Sequence, residues 1–337
     1  MRRFFLASFV VIFSGCAEQL VAPKIDNSPR AIFDELWREF DNRYATFAER
    51  HVDWQALHDK YASLVTDNMP DSMLLKACDS LLAPLRDGHV GIDNGYQGYR
   101  YIHDDSTRSY DVHTVSRYYL GETAHQTSDG SITYGRIHDS IGYINISTFD
   151  IPYQEEWQPI VDEALNSIWD TKALIVDLRE NLGGTATAVE TIGARFMPTA
   201  TIIGYTQERY DADLSHLSAP SPFYSATARQ PLWTKPIVIL TSRTTMSAAE
   251  WCTMSARILP NVTVIGDTTQ GAFSSRLDRE LSNGWHYSMS FMRVSDANHV
   301  CHEGIGLIPD IEVYVRQNQR VYSVDTILDR ALQFIEH

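Results

Sequence analysis

The sequence predicts an α/β protein with a small helical bundle at its N-terminal end. Three observations lead there. Apolar residues recur at three- and four-residue spacing near the start of the chain. From Ile132 onward, strand and helix signals alternate. Runs such as Ala173-Leu-Ile-Val-Asp177 and Pro236-Ile-Val-Ile-Leu240 read as buried strands. Alternation of this kind indicates a core with partly parallel strands.

The first residues stand apart from the fold. Arg2 and Arg3 precede the apolar run Phe4 to Phe13, and Ser14-Gly15-Cys16 follow. The run is too short to span a bilayer as a stable helix. The small residues before Cys16 resemble the lipobox of bacterial lipoproteins. Residues 1–15 are therefore expected to be a lipoprotein signal peptide, with Cys16 as the lipidated first residue of the mature chain. An ordinary cleaved signal, with Cys16 incidental, is the alternative. The mostly polar stretch 16–28, which contains Pro23, reads as a tether.

From Pro29 the residues Ile32, Phe33, Leu36, Phe40 and Tyr44 mark a first helix. Further helices are predicted at Trp54 to Val65 and at Asp71 to Leu85, which makes residues 29–92 a helical bundle. Gly88 is the natural stop for the third helix. The stretch from Asp93 to Thr133 is rich in Tyr, Ser, Thr and Asp, which reads as strands and loops. It is too short for an inserted binding domain. Residues 93–337 therefore form one α/β core with no separate peptide-binding domain. Its elements are strands at Ile141 to Ile146, Ala173 to Asp177, Pro236 to Leu240 and Val262 to Ile265, and helices near Glu155 to Trp169, from Thr187, and at Ala248 to Ile258. An amphipathic helix closes the chain at Asp325 to Ile335.

Charge narrows the function classes. Of 337 residues, 28 are basic and 43 acidic; without Arg2 and Arg3 the net charge is −17, with histidines neutral. Such a surface repels nucleic acid and anionic lipid, so the lipid on Cys16 is the only expected membrane attachment. Apart from Cys16, only Cys78, Cys252 and Cys301 remain, an odd set that argues against a disulfide framework.

Four segments carry candidate chemistry. Ser247-Ala-Ala-Glu250 follows a buried strand and starts a helix, where an attacking oxygen or an oxyanion meets N–H groups without intrahelical partners. The same tetrapeptide spells a capping box, which is its plainer reading. Asp177-Leu-Arg-Glu-Asn-Leu-Gly-Gly184 joins a strand to a helix, and its paired glycines allow close backbone approach, as any tight turn also does. His89, after Arg86-Asp-Gly, is a helix-end histidine or a general base. The cluster His299, Cys301, His302 and Glu303 lacks a second ligand pair with zinc spacing, so no metal is assigned. Glu303 precedes the turn Gly304-Ile-Gly-Leu-Ile-Pro-Asp310.

In their order and spacing these segments resemble the tail-specific and tricorn-type serine peptidases, the superfamily of the C-terminal processing peptidases. Asp87-Gly-His89, Asp177 to Gly184, Ser247 to Glu250 and Val264-Ile-Gly-Asp-Thr-Thr-Gln-Gly271 carry the likeness. The resemblance implies a crotonase-like α/β core and an acyl-enzyme peptide hydrolase without a cofactor, acting on a peptide or protein substrate in the cell envelope. The processing branch places a lysine base just after the position of Gly271. Here that residue is Ala272, and no lysine follows Ser247. The tricorn branch implies Ser247 as nucleophile, His89 as base and Glu303 as its orienter, with Ala248, Gly183 and Gly184 as oxyanion donors. Gly88 stands where that branch has a serine. The family also resembles proteins that bind apolar ligands, so a non-catalytic envelope lipoprotein binding a peptide or apolar ligand is the second reading.

Overall fold

The computed structural model describes residues 26–101, 112–150, 154–211, 213, 216–225, 228–314 and 323–337. The expected signal peptide, Cys16 and most of the expected tether lie outside the described residues. Among the described residues no helix is long and apolar enough to cross a membrane.

The chain runs α1 (Pro29–Arg43), α2 (Trp54–Ala62), α3 (Asp71–Leu82), β1 (Gly91–Asp93), β2 (Gly98–Arg100), α4 (Val112–Val115), β3 (His125–Gln126), β4 (Ile132–Ile137), β5 (Ile141–Ile146), α5 (Gln154–Ser167), β6 (Ala173–Asp177) and α6 (Ala186–Gly193). It continues through β7 (Ile202–Glu208), β8 (Ser221–Tyr224), β9 (Ile237–Thr241), α7 (Ala248–Ala256), β10 (Val262–Gly266), β11 (Arg276–Glu280), β12 (His286–Ser290), β13 (Met292–Asp296), β14 (Ile311–Glu312) and α8 (Thr326–Glu336).

Seven strands form the central sheet in the order β14-β10-β9-β6-β5-β4-β3. The five strands from β14 to β5 are parallel, and β4 and β3 add antiparallel. Alternation explains why the central runs are apolar throughout. Leu174 and Val176 face the cluster under α5, α6 and α7, whereas Ile175 faces the cluster under α8. Helix starts follow side-chain caps: Asp53 accepts the Ala56 N–H at 3.0 Å and Asp325 the Leu328 N–H at 3.0 Å.

The crotonase-like α/β core expected from the sequence is not what the chain forms. Two antiparallel sheets stand beside the central one, β11-β12-β1-β2 and β13-β7-β8. The first belongs to the N-terminal core, where Ile92, Leu281, Trp285, Tyr287 and Met289 pack with Phe33, Leu36, Phe40 and Leu81. The helices alone leave an apolar face open, and strands from residues 91–100 and 276–290 close it. The architecture is one of mixed β-sheets with peripheral helices.

Two local expectations also change. The third helix stops at Leu82, and a 3-10 turn, Ala83–Leu85, carries Pro84. The left-handed residue after it is Arg86, with φ 47°, so Gly88 is not the helix stop. Between Val112 and Thr123 the chain is helical rather than extended, because Val115 and Leu120 bury against Ile137 and Ile141.

Candidate active site

β9 delivers the chain to Ser247 through a turn that the polar core holds in place. Thr245 Oγ1 donates to Leu178 O at 2.9 Å, and Met246 N–H donates to Asn181 O at 3.0 Å. Ser247 itself has φ 56° and ψ −121°, a conformation strained for a residue with a Cβ. Its N–H donates to Glu250 Oε2 at 3.1 Å, one half of a capping box. The hydroxyl holds the capping-box position at the start of the helix. Ala248 is the first residue of α7.

Glu250 is fully buried beneath the nucleophile. Besides Ser247 N–H it accepts Thr269 Oγ1 at 2.6 Å, Gly271 N–H at 2.7 Å and Ala272 N–H at 2.9 Å. Burial pushes its carboxyl up to about 7 against the pull of these donors. The sequence showed it only as a cap; here it ties α7 to the 269–272 loop.

The paired glycines lie against Ser247. A Cβ on Gly183, whose φ is 94°, would stand 2.6 Å from Ser247 Cβ, and one on Gly184 would overlap the backbone of Phe149 and Asp150. No other residue fits either position. Asn181 shapes this loop, donating to Ile146 O at 3.0 Å while its Oδ1 accepts Gly183 N–H at 2.8 Å. That leaves Gly184 and Ala248 N–H without a partner among the described hydrogen bonds. The strand-end pair Asp177 and Arg179 is structural. Arg179 bridges Asp177 and Asp325 in a buried triad, with contacts of 2.6 and 2.8 Å.

His89 is buried at the wall of the same cleft, a cavity of about 550 Å³ that Ser247, Ala248, Gly183 and Gly184 also line. Gly88 packs closely against side chains: a Cβ there would meet Met246 Sδ at 2.6 Å. Burial lowers the imidazole to about 4, with Asp87 opposing and Arg276, Arg100 and Arg50 adding, so the ring is neutral at physiological pH. Its Nδ1 is buried without a hydrogen-bond partner.

Glu303 does not reach His89. Its Oε1 pairs with Arg50 Nη2 at 2.8 Å, and its Oε2 accepts the N–H groups of Phe273 at 2.8 Å and Ser274 at 3.2 Å. Burial raises its carboxyl and Arg50 pulls it back. Arg50 also donates to Arg86 O at 2.7 Å and Gly271 O at 2.8 Å and lies 3.7 Å from Asp87, which accepts Tyr44 Oη at 2.8 Å. Nothing in the sequence marked Arg50, which stands in a loop outside any motif. The cluster around Glu303 is dispersed: His302 pairs with Asp296 at 3.0 Å, and His299 stacks on Tyr205 with ring centroids 4.1 Å apart. Among the described residues no group of three or more His, Cys, Asp or Glu is placed to hold a metal ion.

Residues 140–313 match peptidase family S41, and residues 25–74 match the tricorn protease C1 domain. A Synechocystis carboxyl-terminal-processing protease is 28% identical over 173 residues, which are 51% of this chain and 37% of that protein. The chain thus spans well under half the length of that curated relative. A solved structure from Parabacteroides merdae, of a protein assigned to the peptidases, shares 30% identity over 93% of this chain and 98% of that one, with a TM-score of 0.82. A Streptococcus agalactiae lipoprotein structure covers 93% of this chain and 97% of its own at 16% identity and a TM-score of 0.59, a likeness of fold alone.

These matches complete two corrections. The mixed sheets with peripheral helices are the architecture of the S41 and C-terminal processing peptidases, not a crotonase-like core. Peptidases of this family are serine-type and use a Ser-Lys dyad, not a Ser-His-Glu triad. The geometry agrees that no such triad forms, because the Glu303 carboxylate is committed to Arg50 and two backbone donors. No lysine follows Ser247 in the sequence, and among the described residues none lines the cleft.

Proposed function

We infer that this chain, which belongs to peptidase family S41, is a serine-type peptide hydrolase with Ser247 as its nucleophile. The observation that carries this reading is the strained backbone of Ser247, which holds its hydroxyl at the start of α7 in a cleft shared with two obligate glycines. Attack of Ser247 Oγ on a peptide carbonyl forms an oxyanion, for which Ala248 and Gly184 N–H are the available donors. Gly183 N–H, engaged by Asn181, supports the loop instead.

The proton of Ser247 needs an acceptor where the family's lysine is absent. Neutral His89 in the same wall supplies one, as half of a Ser-His pair in which, among the described residues, no carboxylate is hydrogen-bonded to the ring. The imidazolium then donates to the leaving amine, and water releases the acyl group. An imidazole held at about 4 stays unprotonated well below pH 6.5. Wild-type protein is expected to cleave internally quenched peptides, and Ser247→Ala to lose turnover by at least about 10³-fold with its thermal unfolding unchanged. Cleavage that survives the replacement rejects the assignment.

The cell envelope is the compartment that fits such a peptidase, and Cys16 remains the proposed lipid anchor, in line with the leader sequence.

A further inference from the structure

The cleft around Ser247 is richer in positive charge than the chain, whose net charge is −15. Besides His89, the ionisable side chains on its wall are Arg100, Arg276 and Asp150. Asp150 sits beside Gly184. Arg100 ends β2 and Arg276 begins β11, the two outer strands of the four-stranded sheet. Both arginines also line the adjoining groove of about 670 Å³ over that sheet, so they stand where the two cavities meet.

Neither guanidinium is saturated. Among the described hydrogen bonds Arg100 donates only from Nε, to Gly88 O at 3.3 Å. Arg276 donates from Nε and Nη2 to one oxygen of Asp278, whose side chain is 65% exposed, so that pair stands in water and is weak. Burial and then Arg276 hold Arg100 below the usual guanidinium range, and Asp278, the exposed partner of Arg276, opposes them only in part. Like charges sharing a cleft repel, and an exposed carboxylate offsets that only weakly. An anion between them removes the repulsion, and a planar guanidinium is the group best matched to a carboxylate.

We propose that Arg100 and Arg276 form a specificity-determining subsite for a carboxylate of the bound peptide, so that substrates with an acidic side chain in the cleft are preferred. This inference rests on the reading of the cleft as a peptidase site. A peptide's own terminal carboxylate offers the same chemistry, and the test separates the two.

Ser247→Ala protein would be titrated with three fluorescein-labelled alanine octapeptides, followed by fluorescence anisotropy. One is end-blocked with a central Glu, one end-blocked with a central Gln, and one has no central substitution but a free C-terminal carboxylate. The Glu peptide is expected to bind roughly tenfold tighter than the Gln peptide, the scale of one hydrogen bond to a charged group. That ratio should fall to near one when Arg100→Gln and Arg276→Gln are added, with the circular dichroism spectrum unchanged. Equal binding of the Glu and Gln peptides, no measurable binding of either, or a preference that survives both arginine replacements overturns the proposal. An arginine-dependent gain confined to the free C-terminus overturns the side-chain assignment in favour of the terminal carboxylate. Because the measurement needs no turnover, it stays separable from the peptidase reading, which is tested by peptide cleavage and by covalent labelling of Ser247.

Discussion

At the scale of single residues, Ser247 and His89 are placed by different forces. Ser247 is held in a strained conformation by its neighbours: Glu250 on its N–H, Asn181 on the residue before it, and Gly183 against its Cβ. His89 is held by burial, which has a measurable thermodynamic sign. The folded state keeps the ring neutral down to about 4, whereas the unfolded chain binds a proton below its ordinary value of 6.5. The unfolded state therefore holds more protons in that window, and the histidine's contribution to stability is lost as pH falls from 6.5 toward 4. Glu250 acts oppositely. Its folded value of about 7 against 4.5 makes its contribution fade as pH rises from 4.5 through 7, and Glu303, raised to about 8, adds a slope of the same sign. Relative to wild type, His89→Gln is expected to gain stability on acidification below pH 6.5, by at most about 1.4 kcal/mol per pH unit. Denaturant unfolding of both proteins across that range checks it; parallel curves would show that His89 is not held neutral by the fold.

At the scale of elements, Arg50 fastens the segment after α1 to the loops around the cleft. One buried guanidinium reaches Arg86 O, Gly271 O and Glu303, with Asp87 alongside. Replacing it by methionine leaves Glu303 and Asp87 without their cation, which should cost about 3–5 kcal/mol. Adding Glu303→Gln should restore part of that loss. Chemical denaturation of the single and double variants reads both values, and a double variant no more stable than the single would show that the Arg50–Glu303 pair is not the contact that matters. This link was invisible in the sequence because it joins residues 253 positions apart and belongs to no motif. The helices and parallel strands were legible because their periodicity is local, as β5 and β6 show by keeping the predicted limits. β11, Arg-Leu-Asp-Arg-Glu, was not legible: it is a mostly exposed edge strand whose partner lies across a turn. Nor was β1, which pairs with β12 from the far end of the chain. The crotonase-like core came from the family resemblance, and the pattern of local periodicity held nothing of this sheet to correct it.

At the scale of the whole molecule, the N-terminal helices, the four-stranded sheet and the central sheet supply different walls of one cleft. His89 follows the helices, Arg100 and Arg276 come from the smaller sheet, and Gly183, Gly184 and Ser247 follow strands of the large one. Ser247, the paired glycines and His89 were each visible in the sequence as short motifs. Their meeting was not, because it depends on the long-range closure of the sheets. The role expected of Glu303 failed because a motif match carries no information on which partner a buried carboxylate faces. Anchorage also belongs to this scale: metabolic labelling with palmitate should mark the full chain and vanish in Cys16→Ala, whereas label retained in that variant would place any lipid elsewhere.

An activated Ser247 is tested most directly by covalent labelling of folded protein, residues 26–337, with a fluorophosphonate probe, in wild type, Ser247→Ala and His89→Ala. Labelling of the wild type that is abolished in Ser247→Ala and strongly reduced in His89→Ala is the expected result. A folded wild type that takes no label, or labels equally in all three proteins, would contradict it and favour a protein that binds its ligand in this cleft without cleaving it.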